Sequence, residues 1–556
     1  MCLLPSVPTI PSLTVPFPAG PFLTISRQYG CHGYFLGLLL VDMINNEPGQ
    51  AARWKVYQRE ILERLSEETD LAAEEINRLR REKPRVLVNF FRNLSPRRQQ
   101  QPSAYEIRKA DPEAVIHVFE AEDRIGGKLH TVPFDSGPTD MGAEAYLALR
   151  SDATDFFTEL GLGDDLVSPS GLRSLVYSEG ELQALPAGGV MGIPSSSGPV
   201  SHIVSAETAA RIDAEGDAPD IDWVVGGDAS VGKLVSERYG AEVTDRIVSA
   251  LLGGVYSCAA EDLGIRATIP QLAEALDELA TAGEKVTLSA AVRLCESRRT
   301  PRDPGSTPTP VFATFRHGYA QVYETLAETS GADIHLDAFV AGITHDGGRY
   351  VLTGPGVSPD APYDRLLVTA PAPTTAVLLK SVAPEASAAL KAVQLASSVV
   401  VGMKFDSAEG LPDNSGVLVA IDEPGVQAKA FTFSSKKWPH VGERGGALVR
   451  ASFGRFGDDA LVRADEDLLV DAALDDLAHI TGFDGRAAGL AEIYVQRWFG
   501  GLPRYDETHL ATVAAVREGV AGVPGLEVSG AWAGGVGVPA VIDDARAAVA
   551  RLIQVG

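Results

Sequence analysis

The stretch VIHVFEAEDRIGGKLHT, from Val115 to Thr131, is the feature that most constrains how this chain can fold. A short apolar run ends in an acidic residue, and an arginine and a glycine pair follow it closely. In a βαβ unit that binds a dinucleotide, the second strand ends in a carboxylate that receives the ribose hydroxyls. We therefore expect residues 115–119 to form this strand. The candidate cofactor contacts in the stretch are Glu120, Arg124, Gly126, Gly127 and Lys128.

The other half of such a site, a glycine-rich turn about 20 residues before the acid, is missing. No glycine occurs from Gln50 to Ile125, although the chain has 56 glycines in 556 residues. Residues 84–88, PRVLV, are predicted as the first strand, and residues 104–109 as the end of the crossover helix. Bulky Phe90 and Phe91 stand where the backbone would approach a pyrophosphate. Either two sequences were fused with loss of the loop, or the dinucleotide is held differently.

Composition narrows the classes of partner. A net charge of −26 argues against nucleic acid or an anionic membrane as the main partner, since both require a basic surface. The four cysteines are widely spaced, which is typical of a reducing cytoplasm, and we expect a cytoplasmic protein. The apolar segment Tyr34–Leu40 is too short to span a bilayer, so no transmembrane helix is predicted and only peripheral membrane contact stays open. No histidine spacing predicts a metal site.

The first part of the chain has a different character from the rest. Residues 1–83 are predicted as a proline-rich leader followed by amphipathic helices. Within residues 22–94, the sequence FLTISRQYGCHG is similar to a fragment of cytidylate-kinase-like proteins. Since no GK[ST] sequence follows Gly33, neither the lysine nor the magnesium-binding hydroxyl of a phosphate loop is supplied, and kinase chemistry is not expected.

Four ordered blocks carry a more extensive resemblance, over about residues 104–554. They are EAEDRIGGKLHT, TDMGAEAYLALR from Thr139, RWFGGLPRYDETH from Arg497, and SGAWAGGVGVPAVIDDARAA from Ser529. Together they resemble the oxygen-dependent protoporphyrinogen and coproporphyrinogen oxidases of haem synthesis, within the FAD-dependent amine-oxidase superfamily. The blocks GDASVGKLVSERYG from Gly227 and ALLGGVYSCAAEDLGIRATIPQL from Ala250 are closer to the porphyrinogen branch.

The resemblance implies an α/β plus α+β fold of the flavoprotein type with two dinucleotide-binding domains. A Rossmann-like FAD-binding domain would comprise residues 84–150, 311–372 and 490–556. Residues 151–310 and 373–489 would form the substrate domain, helical up to about residue 300 and strand-rich from 397 to 455.

The resemblance also implies further site residues. Those at the flavin edge, the adenine, the flavin ring and the start of the last helix are Gly142, Ala143, Glu144, Val340, Trp498, Gly535, Val536, Gly537 and Val538. A helix start supplies free amide donors and positive potential, which stabilise a flavin that gains negative charge on reduction. Candidates for binding the substrate carboxylates are Arg150 and Arg316.

The implied reaction removes a hydride from a porphyrinogen methylene to flavin N5, and dioxygen then reoxidises the flavin with release of hydrogen peroxide. The partners would be a porphyrinogen and dioxygen, with no catalytic side chain assigned because the cofactor carries the chemistry. Two alternatives stay open: a flavin amine oxidase, and an inactive fusion that cannot hold FAD. The choice between coproporphyrinogen and protoporphyrinogen, and the oligomeric state, also stay open.

Overall fold

A computed structural model describes residues 102–299, 310–358, 362–458 and 460–554. The chain divides into two compact units, Met1–Leu94 and Ser95–Gly556, and all described residues belong to the second. The leader, the kinase-like fragment and the predicted strand at residues 84–88 lie outside the described residues.

The secondary structure of the described residues alternates short strands with helices. The strands, in chain order, are β1 (His117–Phe119), β2 (Thr131–Phe134), β3 (Gly137–Asp140), β4 (Tyr146–Leu147), β5 (Leu166–Val167), β6 (Leu175–Ser178), β7 (Glu181–Ala184), β8 (Phe312–Phe315), β9 (Asp333–His335), β10 (Gly342–Asp346), β11 (Arg349–Thr353), β12 (Leu366–Val368), β13 (Leu395–Phe405), β14 (Gly416–Val419), β15 (Ala430–Thr432), β16 (Ala447–Phe453), β17 (Leu490–Pro503) and β18 (Leu526–Val528). The α-helices are α1 (Pro102–Ala110), α2 (Ser151–Glu159), α3 (Ala206–Asp213), α4 (Val231–Tyr239), α5 (Ala241–Val243), α6 (Ser249–Tyr256), α7 (Ile265–Thr268), α8 (Pro270–Ala282), α9 (Leu288–Ser297), α10 (Ala320–Ser330), α11 (Ala372–Leu379), α12 (Pro384–Leu390), α13 (Ser434–Lys437), α14 (Pro439–Gly442), α15 (Glu466–Thr481), α16 (His509–Ala521), α17 (Ala531–Gly534) and α18 (Val538–Gln554).

Two parallel strand pairs form the part of the fold that the sequence assigned to dinucleotide binding. Strand β1 pairs in parallel with β9, and β12 pairs in parallel with β18. Within the described residues, no strand joins the two pairs. Strand β1 is shorter than the predicted strand 115–119, because only three residues of β9 pair with it. Val115 lies before this pairing, and its side chain is 83% exposed.

Three helices cover these strands. Helix α1, which includes the predicted helical residues 104–109, contacts both α10 and α18. Its Arg108 donates from Nε to the Ser330 carbonyl at 2.8 Å, and its Glu106 accepts from Arg546 Nε on α18 at 2.9 Å. Helix α1 is therefore tied to both α10 and α18.

A seven-stranded sheet forms the second layer, in the order β17-β13-β16-β15-β14-β6-β7. All neighbours are antiparallel except β14 and β6. Helix α15 packs on this sheet because Leu469, Ala473, Leu477 and Ile480 recur at helical spacing and are buried in the same core cluster as the strands. Strand β17, within the segment that the sequence assigned to the FAD domain, pairs with β13, so the two predicted domains share this strand.

Residues 151–299 are mainly helical but contain an exception. The β6–β7 hairpin, in a stretch expected to be helical, extends the seven-stranded sheet through parallel pairing of β6 with β14. The helices from α3 to α9 surround their own hydrophobic cluster. Helices α5 and α6 are continuous through a π-helical turn, Thr244–Val248, and α6 ends at Ser257, which has a left-handed φ of 51°.

Candidate flavin site

The loop after β1 closes around an arginine. The Arg124 guanidinium donates to the carbonyls of Ile125 at 2.9 Å, Gly127 at 2.7 Å and Leu129 at 3.3 Å. Gly126 has a φ of +93°, and a Cβ there would lie 2.6 Å from the Leu129 carbonyl oxygen. The glycine is therefore required for the loop to close, and Arg124 holds the loop through its backbone.

The acid predicted to receive a ribose stands at the carboxyl end of β1. The Glu120 amide donates to the His335 carbonyl at 2.9 Å, and its own carbonyl accepts from the Ala338 amide at 2.9 Å. Among the described residues, its carboxylate accepts a single local bond, from the Glu122 amide at 3.0 Å. This is the edge at which open α/β sheets bind ligands. Val340 follows in an extended segment and packs on the core cluster beneath.

Residues 128–130 and 141–143 lie directly against each other. The Met141 amide donates to the His130 carbonyl at 2.7 Å, and the Ala143 amide to the Lys128 carbonyl at 3.3 Å. Lys128 is exposed, yet desolvation by nearby protein atoms lowers its pKa to about 8. Burial, with Arg124 nearby, lowers the pKa of His130 to about 4. This part of the site is therefore cationic through Arg124 and Lys128, with a neutral imidazole beside them.

Strand β17 brings the predicted tryptophan to the same place. Trp498 Nε1 donates to the Met141 carbonyl at 3.1 Å, and the Arg124 guanidinium lies 6.0 Å from the centre of its ring. Two residues earlier, Gln496 Oε1 is 2.9 Å from His130 Nδ1. Two neighbouring sequence blocks and a third, more than 340 residues further along the chain, thus lie next to each other near Arg124.

The loop of residues 535–538 contacts two hydrophobic clusters. Gly535 has a φ of +138°, and Val538 begins helix α18. Val536 packs on the cluster of the helical region, whereas Val538 packs on the cluster that also contacts Leu129. The amide donors at the start of this helix therefore lie at the junction of the helical region and the Arg124 loop.

Glu144 faces protein cations. Its Oε2 lies 2.7 Å from Lys437 Nζ, and its Oε1 accepts from Ser434 Oγ at 2.6 Å and lies 3.5 Å from Arg450 Nη1. Burial alone would raise the pKa of Glu144, but Lys437 and Arg450 lower it to about 2. Arg450 Nη2 also donates to the Gly142 carbonyl at 2.8 Å, so this arginine clamps both ends of the loop 142–144.

A small cavity of about 30 Å³ lies behind that loop. Buried polar atoms on its lining residues have no hydrogen-bond partner among the described residues: Thr314 Oγ1, Trp438 Nε1, His440 Nδ1 and Arg450 Nε. A space of this size with several polar neighbours accommodates an ordered water. Sequence reasoning missed Ser434, Lys437 and Arg450, because no spacing in SSKKW or in strand β16 points to Glu144.

The two predicted substrate arginines differ. Arg150 forms ion pairs with Asp152, at 2.5 Å, and with Asp543, so it links α2 to α18. Arg316 is exposed and lines the same cavity as Glu144. No hydrogen bond or ion pair between described residues connects either arginine to Arg124 or Trp498. Their role in binding substrate stays a prediction.

The described part of the chain has neither a candidate metal centre nor a candidate membrane span. No group of three or more His, Cys, Asp or Glu side chains in that part is placed to hold a metal ion. No helix there combines the length and apolar character needed to cross a membrane.

Parallel strands with an acid at the carboxyl end, a glycine loop around an arginine and a helix start nearby define a dinucleotide-binding protein. A family model described as "Flavin containing amine oxidoreductase" matches residues 104–553. The chain belongs to this family of flavoproteins.

Named relatives refine the comparison. The coproporphyrinogen III oxidase of Mycobacterium tuberculosis is 37% identical over 460 residues, which cover 81% of this chain and 94% of that protein. The coproporphyrinogen III oxidase of Bacillus subtilis is 27% identical, with 80% and 93% covered. A solved structure from Exiguobacterium sp. 255-15, assigned as a protoporphyrinogen oxidase, is 27% identical with a TM-score of 0.71, covering 82% of this chain and 96% of that one. The cyclohexylamine oxidase of Brevibacterium oxydans shares the fold, at 15% identity and a TM-score of 0.57.

FAD is the cofactor, and the residues present fit it. Arg124 and Lys128 supply cations with no carboxylate partner within ion-pair distance in the described structure, as a pyrophosphate requires. A Cβ on Gly142 would lie 1.9 Å from the Lys128 carbonyl oxygen, so only glycine allows the backbone to pass there. The start of α18 adds amide donors for developing negative charge.

Proposed function

We propose that the chain oxidises coproporphyrinogen III to coproporphyrin III with dioxygen as the electron acceptor. The observation that supports this most strongly is its likeness to coproporphyrinogen III oxidases along nearly their whole length, at 37% identity. When bound, FAD supplies a two-electron acceptor for hydride from the substrate methylene groups. Protoporphyrinogen is the runner-up substrate, since a chloroplastic and mitochondrial protoporphyrinogen oxidase of Arabidopsis thaliana is 22% identical. An amine oxidase is favoured less, because those relatives share only the fold.

The residues divide the work of binding. Glu120 receives the ribose hydroxyls, and Arg124 and Lys128 face the pyrophosphate. Val340 meets the adenine, while the 142–144 loop, Trp498 and the 535–538 loop enclose the flavin ring. No side chain is assigned as a general base, because positioning and desolvation are the protein's contribution in such enzymes.

The proposed activity implies particular partners and a cellular compartment. A porphyrinogen and dioxygen are the partners, and the cytoplasm is the compartment, on the strength of the few and widely spaced cysteines. The cysteines of the described residues, Cys258 and Cys295, are buried free thiols, in keeping with that compartment.

The whole chain, purified and incubated with FAD, is expected to retain flavin absorption bands after desalting. Aerobic addition of coproporphyrinogen III should then give porphyrin fluorescence and hydrogen peroxide faster than a protein-free control. A protein that stays colourless would support the inactive fusion instead. Bound flavin with turnover of protoporphyrinogen but not coproporphyrinogen would transfer the proposal to the runner-up substrate.

Replacing Arg124 with alanine is expected to weaken FAD binding by about 10- to 100-fold, since it removes a charge-assisted contact and the three backbone bonds that hold the loop. Titration of apoprotein with FAD, followed by flavin fluorescence, measures the dissociation constant. Arg349→Ala, which removes an exposed pair with Asp364, is the matched control. Equal affinities of the Arg124→Ala variant and the wild type would remove Arg124 from the pyrophosphate site.

A further inference from the structure

A buried ammonium and a half-buried guanidinium lie where the helical region meets the seven-stranded sheet. Lys429 is 4% exposed, and its Nζ donates to Ser257 Oγ at 2.6 Å and to the Gly454 carbonyl at 2.8 Å. An ammonium has three donors, so one remains. The next residue after Gly454 is Arg455, whose Nη2 makes a long bond of 3.4 Å to the Val419 carbonyl. Its Nε is buried and has no acceptor among the described residues.

No anion of the described protein compensates these charges at close range. Neither Lys429 nor Arg455 has a carboxylate oxygen within ion-pair distance in that part of the chain, and Asp262 is paired with Arg504 at 3.6 Å. Asp458 acts on Arg455 only at longer range. The neighbouring Cys258 thiol stays neutral because burial raises its pKa to about 12.

Desolvation destabilises the charged forms of Lys429 and Arg455. Desolvation lowers the pKa of Lys429 to about 7, with Arg455 adding to the effect, and desolvation also lowers the pKa of Arg455. Buried cations are normally paired, and a desolvated group with a strongly shifted pKa is a candidate for a functional site. An external anion would stabilise both ammonium and guanidinium.

Aromatic side chains next in the sequence to Arg455 and to Ser257 pack on a cluster shared with the 535–538 loop. The Phe456 amide donates to the Ser257 carbonyl at 2.7 Å, which fixes the segment after Arg455 against the end of helix α6. Tyr256 and Phe456 pack on the same hydrophobic cluster as Val536 of the 535–538 loop. The aromatic side chains beside the two cations therefore pack on the same cluster as a residue of the 535–538 loop.

We propose that Lys429 and Arg455 bind a carboxylate of the tetrapyrrole substrate, whose ring lies along the Tyr256 and Phe456 surface. The inference rests on the proposed function, because it deepens the description of that substrate's site. Coproporphyrinogen is an apolar macrocycle with carboxylate-bearing side chains. The macrocycle matches the aromatic side chains, and the carboxylates match the two cations. Arginine and lysine together favour such a group through charge-assisted bonds.

The test compares coproporphyrin III with its methyl ester, in which the carboxylates are neutral. Dissociation constants of the FAD-loaded protein for each porphyrin are measured by fluorescence quenching, for the wild type, Lys429→Met and Arg455→Gln. Each variant is expected to bind the acid about 10- to 100-fold more weakly, as for a lost hydrogen bond between charged groups. Affinity for the ester should not change. Arg486→Gln, which removes exposed pairs with Asp471 and Asp475, should leave both constants unchanged.

Arg455→Lys keeps the charge and is expected to recover part of the affinity, which guards against a variant that merely unfolds. In turnover, KM for the acid should rise while kcat holds, which a purely structural role would not produce. Unchanged acid binding in both Lys429→Met and Arg455→Gln, or equal losses for acid and ester, would overturn the inference and leave the proposed function standing. A wild-type protein that binds FAD but neither porphyrin would overturn the proposed function itself.

Discussion

Replacing Glu144 with glutamine is expected to lower the free energy of unfolding by about 3 to 5 kcal/mol. The carboxylate lies between Lys437 and Arg450, and the side chains of all three residues are at most 20% exposed. Glutamine keeps the shape but leaves two cations without their anion in a desolvated place, which is the costly way to break a buried ion pair. The loop 142–144 would also lose its link to helix α13.

The effect of Glu144 on stability depends on pH in a defined direction. Its folded-state pKa of about 2 lies below the ordinary value of 4.5, so the unfolded chain binds the proton more tightly. The stabilisation is therefore complete above about pH 5 and is lost as the pH falls toward 2. The difference between wild type and Glu144→Gln should be largest near neutral pH and shrink in acid.

Denaturant unfolding at pH 7 and at pH 3 measures both effects. Asp471→Asn is the control, because its pair with Arg486 is exposed and its loss should cost about 0.5 kcal/mol or less. A Glu144→Gln variant as stable as the control at pH 7 would show that Lys437 and Arg450 do not depend on this carboxylate.

Local patterns were enough to predict that one group of candidate residues lies together. Glu120, Arg124 and the glycine pair lie within eight residues, and a strand end followed by a loop requires no distant information to be recognised. The structure places them at the carboxyl end of β1, as expected, and shows in addition that Arg124 shapes its own loop. Trp498 and the 535–538 loop were predicted through family resemblance, since their spacing alone does not say that Trp498 lies near Arg124 or that Val538 shares a cluster with Leu129.

The rest depends on contacts between residues far apart in the sequence. Glu144 was expected at the flavin edge, but its partners Ser434 and Lys437 are 290 and 293 residues away and follow no periodicity that links them to it. The β6–β7 hairpin was missed for the same reason, because its strand character comes from pairing with distant β14. The glycine-free stretch from Gln50 to Ile125 lies mostly outside the described residues. The FAD-binding experiment therefore tests whether the chain holds FAD without a glycine-rich phosphate loop.

Replacing Gly142 with alanine is expected to cost about 3 kcal/mol of stability and to weaken FAD binding strongly. A Cβ at this position would lie 1.9 Å from the Lys128 carbonyl oxygen and 3.2 Å from the His130 amide nitrogen. Both atoms are backbone, so no side chain can rotate away and the two segments must separate. Separation would also break the bond from Arg450 to the Gly142 carbonyl and displace the 142–144 loop, which we propose encloses the flavin ring.

Gly198→Ala is the matched control for this steric effect, because its Cβ would meet nothing within 4 Å and its φ is not positive. It should change the free energy of unfolding by no more than about 0.5 kcal/mol. Thermal unfolding of the apoproteins separates the stability cost from the loss of cofactor, and FAD titration then measures affinity in the folded fraction. If Gly142→Ala matches Gly198→Ala in both measurements, the contact between residues 128–130 and 141–143 is looser than the structure shows. If only FAD affinity falls, residues 141–143 can move away from residues 128–130 in the apoprotein at little cost. The close contact between these segments then matters for cofactor binding and not for stability.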